Sequence, residues 1–423
     1  MADTTVYSSI IGTLDESNNL WGPYWTDKDT GTVVFISSGN EAFQRRTVDG
    51  GSSWSGQAII FDGTIMNVAC WYDQETPGDS GTILHVVTLD TGGACKYRTV
   101  NISTGVRGTQ RTVVSGLTVS STKSENRIAI TKTVSGNIIV AYSTQSEIGC
   151  LKSDDLFATA GTSIADPFET PTEEDWLLLY PANTGDDNDA CGIFWDRSAN
   201  KISIKMYDDS EDDWTETENA LDRHDNLTYI NMDGAVRHSD RKIMFVSHTD
   251  PDTVVDVLVA SVINPNSIDS PSFPNTSLIY NSQAESAQCS VLINQQNDDV
   301  YVAYLKGGTW LSEMDIVFHK SDDGMSTWGS EQAYNETTDD NRLVHGGRTI
   351  GDSGGRVQWS WYNDDLADIF VNLVNDIEIS AVSGVINPKI KIGGTFSTKT
   401  IKTKISGTFV EKPILVKVGG TFQ

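Results

Sequence analysis

The chain has 423 residues, 38% of them hydrophobic and 21% charged, a balance that can bury a large core. Its 58 acidic against 30 basic residues give a net charge of −28, and a body this acidic has no basic patch to neutralise phosphates, which argues against nucleic acid as its partner. No run approaches the roughly 18 apolar residues of a membrane helix, and the N-terminal "MADTTVYSSI" lacks the basic and apolar regions of a secretory signal, so synthesis in a cytoplasm and no membrane insertion are expected.

The acids comprise 41 Asp and 17 Glu, and seven of the 17 lysines lie in residues 389–423. Residues 1–388 therefore carry 23 − 57 = −34, while the last 35 residues carry 7 − 1 = +6. A surface so acidic repels itself in dilute salt, and the repulsion largely disappears near 1 M salt, where the screening length falls to about 3 Å. A hypersaline habitat is the simplest expectation. The five cysteines, Cys70, Cys95, Cys150, Cys191 and Cys289, are widely spaced and include no CxxC pair, so neither a zinc site nor a disulfide framework is signalled.

Along the chain, helical periodicity is replaced by short alternating runs bounded by Gly, Asn, Asp and Ser. They read "GTVVFISSG", "GTILHVVTLD", "GNIIVAYSTQ", "KISIKMYDD", "RKIMFVSHT", "DDVYVAYLKG" and "GRVQWSWYND". The pattern is all-β, and its period of about 50 residues is that of a radial or stacked repeat. Innermost strands are expected to begin near Leu20, Met66, Arg127, Trp176, Leu227, Ser290 and Leu343. The seventh unit ends one strand short, after "DIFVNLVND", and the N-terminal "TTVYSSIIG" is one strand too many. Pairing the two closes a ring and removes its open edges. Residues 1–378 thus read as a seven-bladed β-propeller, with six blades as the alternative because the fourth and fifth units carry long loops.

Two stretches share a spacing of acid, glycine and tryptophan: "TVDGGSSW" (Thr47, Asp49, Gly51, Trp54) and "SDDGMSTW" (Ser321, Asp323, Trp328), where Met325 replaces the glycine. Weaker echoes stand at "SDDLFAT" and "DDSEDDW". The first resembles the Asp-box, or BNR repeat, of the sialidase-like propeller superfamily. The resemblance implies a structural turn away from any active face, in which Asp accepts backbone N–H groups, Gly supplies positive φ and Trp packs between blades. Sialidases of that superfamily use three arginines, the first in an Arg-Ile-Pro motif. This chain has no arginine before Arg45 and no Arg-Ile-Pro, so sialidase activity is not expected.

Candidate ligand-binding residues are those near predicted inner-strand starts, where a ring gathers seven loop ends at one mouth: Trp21, Trp25, Trp176, His224, Asn226, His345 and Arg348. Aromatic and mostly neutral polar groups suit stacking and hydrogen bonding to a sugar better than acid-base turnover, for which neither a paired carboxylate nor an activated histidine is legible. No catalytic or metal-binding residue is assigned. Ca²⁺ is conceivable at "GDDNDACG" (Asp186, Asp187, Asp189) and "YDDSEDDW", although neither run forms a complete EF-hand loop.

Residues 379–423 change character. "IGGTF" (Ile392, Gly394, Phe396), "ISGTF" (Ile405, Gly407, Phe409) and "VGGTF" (Val418, Gly420, Phe422) recur every 13 residues, with Lys alternating among Ile, Thr and Val between them. So short a module cannot build a core alone and must pack on identical tails or on another protein. It resembles C-terminal repeats of tail and fibre proteins of tailed phages. Together these features suggest a virion surface protein of a virus of a halophilic host, binding a host glycan or surface glycoprotein through the propeller and other virion proteins through the tail, as a homo-oligomer. A virion-borne glycan-degrading enzyme and an architectural decoration protein are the alternatives.

If the acidic surface is tolerable only when screened, the melting temperature should climb steeply between about 0.1 M and 3 M KCl. A flat midpoint in thermal melts across that range would contradict the halophilic reading.

Overall fold

The structure, a computed structural model, describes residues 3–8, 19–121, 126–144, 148–166, 176–196, 201–222, 232–249, 257–266, 276–281, 288–306, 315–335, 341–372, 377–380, 400–405, 408–413, 417–418 and 421–422. The chain divides into two units, Met1–Ser380 and Ala381–Gln423.

In the first unit, seven antiparallel sheets follow one another, each built on four strands. Their innermost strands are Leu20–Trp25, Ile65–Tyr72, Arg127–Lys132, Trp176–Pro181, Met232–Val236, Cys289–Asn294 and Asn341–Gly346. The fold is therefore all-β and seven-bladed, and the six-bladed alternative is discarded. In blade five the described inner strand is Met232–Val236; the start expected near Leu227 lies outside the described residues. First and second strands such as Leu20–Trp25, Gly31–Ile36 and Ile138–Ser143 are buried along their whole length. Covered on both sides by neighbouring blades, they read as apolar runs rather than strict alternations.

Blade seven is completed from the other end of the chain. Thr4–Tyr7 pairs antiparallel with Asp368–Val371, placing Thr4 opposite Val371 and Thr5 opposite Phe370. Hydrogen bonds then link successive blades. Trp21 Nε1 donates to Val68 O at 2.9 Å and Asn67 Nδ2 to Asn126 O at 2.7 Å. Ser135 N donates to Asp187 O at 2.9 Å, Asn183 N to Pro265 O at 2.7 Å, Val291 N to Asp233 Oδ2 at 2.9 Å and Gly346 N to Ser290 Oγ at 2.9 Å. Ser360 Oγ donates to Gly22 O at 2.7 Å and joins blade seven to blade one.

We call the end where inner strands begin the upper face and the other end the lower face. Turns between third and fourth strands lie on the lower face, and three of them share one geometry. Thr47, Ser153 and Ser321 each donate a hydroxyl to the aspartate two residues on, at 2.8, 3.0 and 2.9 Å. Each hydroxyl also accepts the N–H of the residue four on, Gly51, Phe157 or Met325. Asp49, Asp155 and Asp323 in turn accept N–H groups from Ser53, Thr159 and Thr327. These bonds hold the three carboxyls below the usual range, Asp323 at about 2. Trp54 packs against the cluster of blades one and seven, and Trp328 against that of blades five and six.

Each turn places two consecutive residues in the left-handed region: Gly50 and Gly51, Leu156 and Phe157, Gly324 and Met325. The echo at "SDDLFAT" is thus a complete turn whose glycines have been replaced. Met325 and Phe157 compensate by burying their side chains, each 2% exposed, whereas Leu156 stands 42% exposed.

In the second unit, Thr400–Ile405 pairs with Thr408–Pro413 and Lys417–Val418 with Thr421–Phe422, with Ile405 opposite Thr408 and Val418 opposite Thr421. Of the repeat positions, Ile405, Phe409, Val418 and Phe422 lie on these strands. Ile392, Gly394, Phe396, Gly407 and Gly420 lie outside the described residues.

A left-handed leucine with little packing to lose should be improved by glycine. Leu156→Gly is expected to raise stability by about 0.5–1 kcal/mol in denaturant titrations. A decrease would mean that the chain does not adopt the left-handed turn there.

Candidate functional site

The axis of the ring is filled from below. Blades two and seven have long links between their first and second strands, residues 73–82 and 347–358, the former opening with the 3₁₀ turn Asp73–Glu75. In the latter, Gly347 passes so close to blade one that a Cβ would lie 2.4 Å from Pro23 O, and only glycine fits. Arg348 follows with φ +56°, an unfavourable conformation for a long side chain that its partners must offset. Its carbonyl accepts the Ile293 N–H at 2.8 Å, and Thr349–Ile350 runs parallel to Ile293–Asn294 of blade six. Gln295 fastens the plug: Nε2 donates to Val236 O at 2.9 Å and Thr349 Oγ1 at 3.0 Å, and Oε1 accepts the His238 N–H at 2.9 Å.

This geometry delivers the Arg348 guanidinium to the axis at 4% exposure. Nε and Nη2 contact Asp233 Oδ1 at 2.9 and 2.8 Å, and Asp233 Oδ2 accepts the Val291 N–H. The guanidinium lies 5.0 Å from the Trp21 ring centre and 6.0 Å from that of Tyr180. Glu75 approaches only to 4.0 Å of Nη1, and neither of its carboxylate oxygens has a hydrogen-bond partner. Burial, reinforced by Asp233 and opposed by Arg348, raises the Glu75 carboxyl to about 8. One guanidinium is shared by two acids; Asp233 takes it, and Glu75 stays protonated at neutral pH.

Above the ion pair a small cup opens among inner-strand starts of blades one, five, six and seven, lined by Leu20, Asp233, Gln288, Leu343, His345 and Arg348, with room for about one water. His345 is half-buried; its ring lies 4.4 Å from that of Trp21, and its Nδ1 accepts the Gly22 N–H at 3.4 Å. Loss of hydration pushes the imidazole down to about 4 against the pull of Asp233, so it is neutral at physiological pH. Gln288 Oε1 accepts the Val344 N–H at 3.1 Å.

Of the residues proposed from sequence, Trp21, His345 and Arg348 meet at this axis. Trp25 does not: it is the last residue of its strand, at the lower end, 1% exposed, with its indole packed over Gly31. Counting aromatics near a predicted start ignored that a six-residue strand crosses the blade. Trp176 begins the inner strand of blade four, but its side chain, like His224 and Asn226, lies outside the described residues. Asp233, Glu75, Gln288 and Tyr180 were missed. For Asp233 a signal existed, a lone carboxylate in the apolar strand "MDGAV", a placement that requires a buried partner.

The acidic loops use their carboxylates internally. Asp186 accepts the Asn188 N–H, Asp189 the Asp209 N–H and Asp208 the Ser210 N–H, while Asp187 pairs with Arg241. No group of three or more potential metal ligands occurs among the described residues. A second buried charge network, Asp73 with His85 at 2.9 Å and Lys132 at 2.6 Å, is completed by Tyr97 and Asp79 and ties blade two to blade three.

The fold and axis define the chain as a seven-bladed propeller with a closed lower face and an open upper cup. No known family profile and no curated protein matches it. Among solved structures, AofleA from Arthrobotrys oligospora is similar at 11% identity and TM-score 0.48, over 78% of this chain and 93% of that one. The Aleuria aurantia lectin, described as a six-bladed propeller with a fucose recognition mode, is similar at 13% identity and TM-score 0.45, over 74% and 93%. An ulvan lyase of polysaccharide lyase family PL25 is similar at 10% identity and TM-score 0.45, over 88% and 94%.

The protonated Glu75 makes a signed prediction. Its folded form holds a proton that the unfolded chain releases above about pH 4.5, so this group's stabilising contribution is full at low pH and is lost as pH rises from about 4.5 to about 8. Glu75→Gln should match wild type at pH 4 and exceed it at pH 9 by on the order of 5 kcal/mol. Parallel stability profiles for the two proteins would contradict a protonated Glu75.

Proposed function

We propose that this chain recognises a glycan at the upper mouth of its propeller, as a virion surface protein of the receptor-binding type whose C-terminal repeats attach it to other virion proteins. The observation that carries the binding reading is the cup itself, where the strand starts of blades five and six bring a carboxylate and an amide, and the His345 imidazole from farther along the inner strand of blade seven joins them, above a buried indole and guanidinium. Hydrogen-bonding groups that carry no unpaired charge, beside apolar walls, are what a sugar's hydroxyls and C–H faces require.

Chemistry at the same place is disfavoured by the state of its groups. The one carboxylate lining the cup among the described residues, Asp233, is spent on Arg348 and a backbone N–H. Glu75 is 2% exposed on the far side of that arginine. General acid-base hydrolysis needs two carboxyl groups facing one bond. The charge contrast between the acidic body and the +6 tail, and the tail's 13-residue repeat, support separate tasks for the two units.

Screening on a glycan array, with product analysis of the bound glycans by mass spectrometry, tests the reading. Wild type should bind a defined set and release no shortened products, and His345→Ala should weaken binding about ten-fold or more with the melting temperature little changed. Depolymerisation lost in His345→Ala would replace binding with catalysis.

A further inference from the structure

The ion pair under the cup also bears on which sugars can enter, an inference that rests on the glycan reading above. We propose that Asp233 is a specificity-determining residue, and that by consuming Arg348 it makes the mouth selective for uncharged sugar residues and rejects uronates and sialic acids.

Arg348 is the one cationic group lining the cup among the described residues. Its Nε and Nη2 are both engaged by Asp233 Oδ1, and its flat face is covered by Trp21 and Tyr180. An incoming carboxylate could take the Nε–Nη2 edge of this guanidinium only by displacing Asp233. That would strand Asp233 at 3% exposure with Val291 N–H as its remaining partner, and an unpaired buried charge is far costlier than the pair it replaces. The other acid facing Arg348 among the described residues, Glu75, carries a proton at neutral pH, burial keeps the Tyr24 and Tyr180 phenols neutral, and His345 is uncharged, so ion pair, acid, phenols and imidazole together sum to zero. Outside the cup, the −34 of residues 1–388 adds a long-range field that repels anions at low salt. A neutral sugar meets none of these penalties. One of its hydroxyls, the size of the single water that the cup admits, can bond to Asp233, Gln288 or His345 without breaking the pair.

The test uses the full chain at one fixed salt concentration and an array of oligosaccharides in matched pairs: galactose against galacturonate, glucose against glucuronate, and asialo against sialylated termini. Calorimetry follows on the best-bound pair. Wild type should bind the neutral member and discriminate against the acidic one by about 100-fold or more. Asp233→Asn keeps shape and one acceptor for Arg348 but frees its charge, and should narrow that gap at least ten-fold. The double variant Asp233→Asn with Arg348→Gln should lose the gain. Acidic glycans bound by wild type as well as neutral ones overturn the selectivity while leaving glycan recognition intact. A folded Asp233→Asn protein with unchanged discrimination overturns the role of Asp233. If no glycan of either class binds, the glycan reading itself fails and this inference with it. Should Asp233→Asn not fold, the matched pairs on wild type decide alone.

Discussion

Arg348 is the residue on which the organisation of the axis depends. It is carried inward by a glycine that no other residue can replace, held in a left-handed conformation, paired with Asp233 of blade five and laid against Trp21 of blade one and Tyr180 of blade four. Burying a guanidinium costs several kcal/mol unless its partners return that energy, and here they come from different blades. Once Asp233 has taken the cation, Glu75 of blade two has no charge left to pair with and keeps its proton. The ring centre is thus electrically neutral, and the channel open at the centre of many propellers is stoppered on the lower side.

That stopper divides the two faces by purpose. Below, the Gln295 amide and the three hydroxyl-aspartate turns are satisfied within the chain. Above, strand starts converge on a depression whose polar groups, among the described residues, are neutral or already paired. The contrast with the surrounding surface is sharp: −34 on residues 1–388 outside, and an uncharged sum at the axis.

Much of the fold could be read from sequence for physical reasons that can be named. Strands buried on both faces leave apolar runs, the 50-residue period reports blades, and the surplus strand at Thr4–Tyr7 matches the deficit after Val371. The site was legible only in part. His345 and Arg348 stood out because they lie near the predicted inner-strand start of blade seven, but their partners lie in other blades, and no local pattern announces an ion pair across 115 residues. Trp25 was misplaced because composition marks a strand without marking which end of it reaches the mouth. The turn at Leu156 was undervalued because a glycine consensus hides positions where burial of the next side chain, Phe157, offsets the backbone cost.

The central claim is that ligand recognition occurs at the upper end of the axis rather than in the grooves between blades or on the lower face. A crystal structure of the full chain with the best-bound oligosaccharide from the array addresses it directly. The account predicts sugar density over the mouth of the cup, with a hydroxyl within hydrogen-bond distance of His345 or Gln288 and the Arg348–Asp233 pair intact beneath it. Density confined to an inter-blade groove on the rim, or to the lower face, would contradict it.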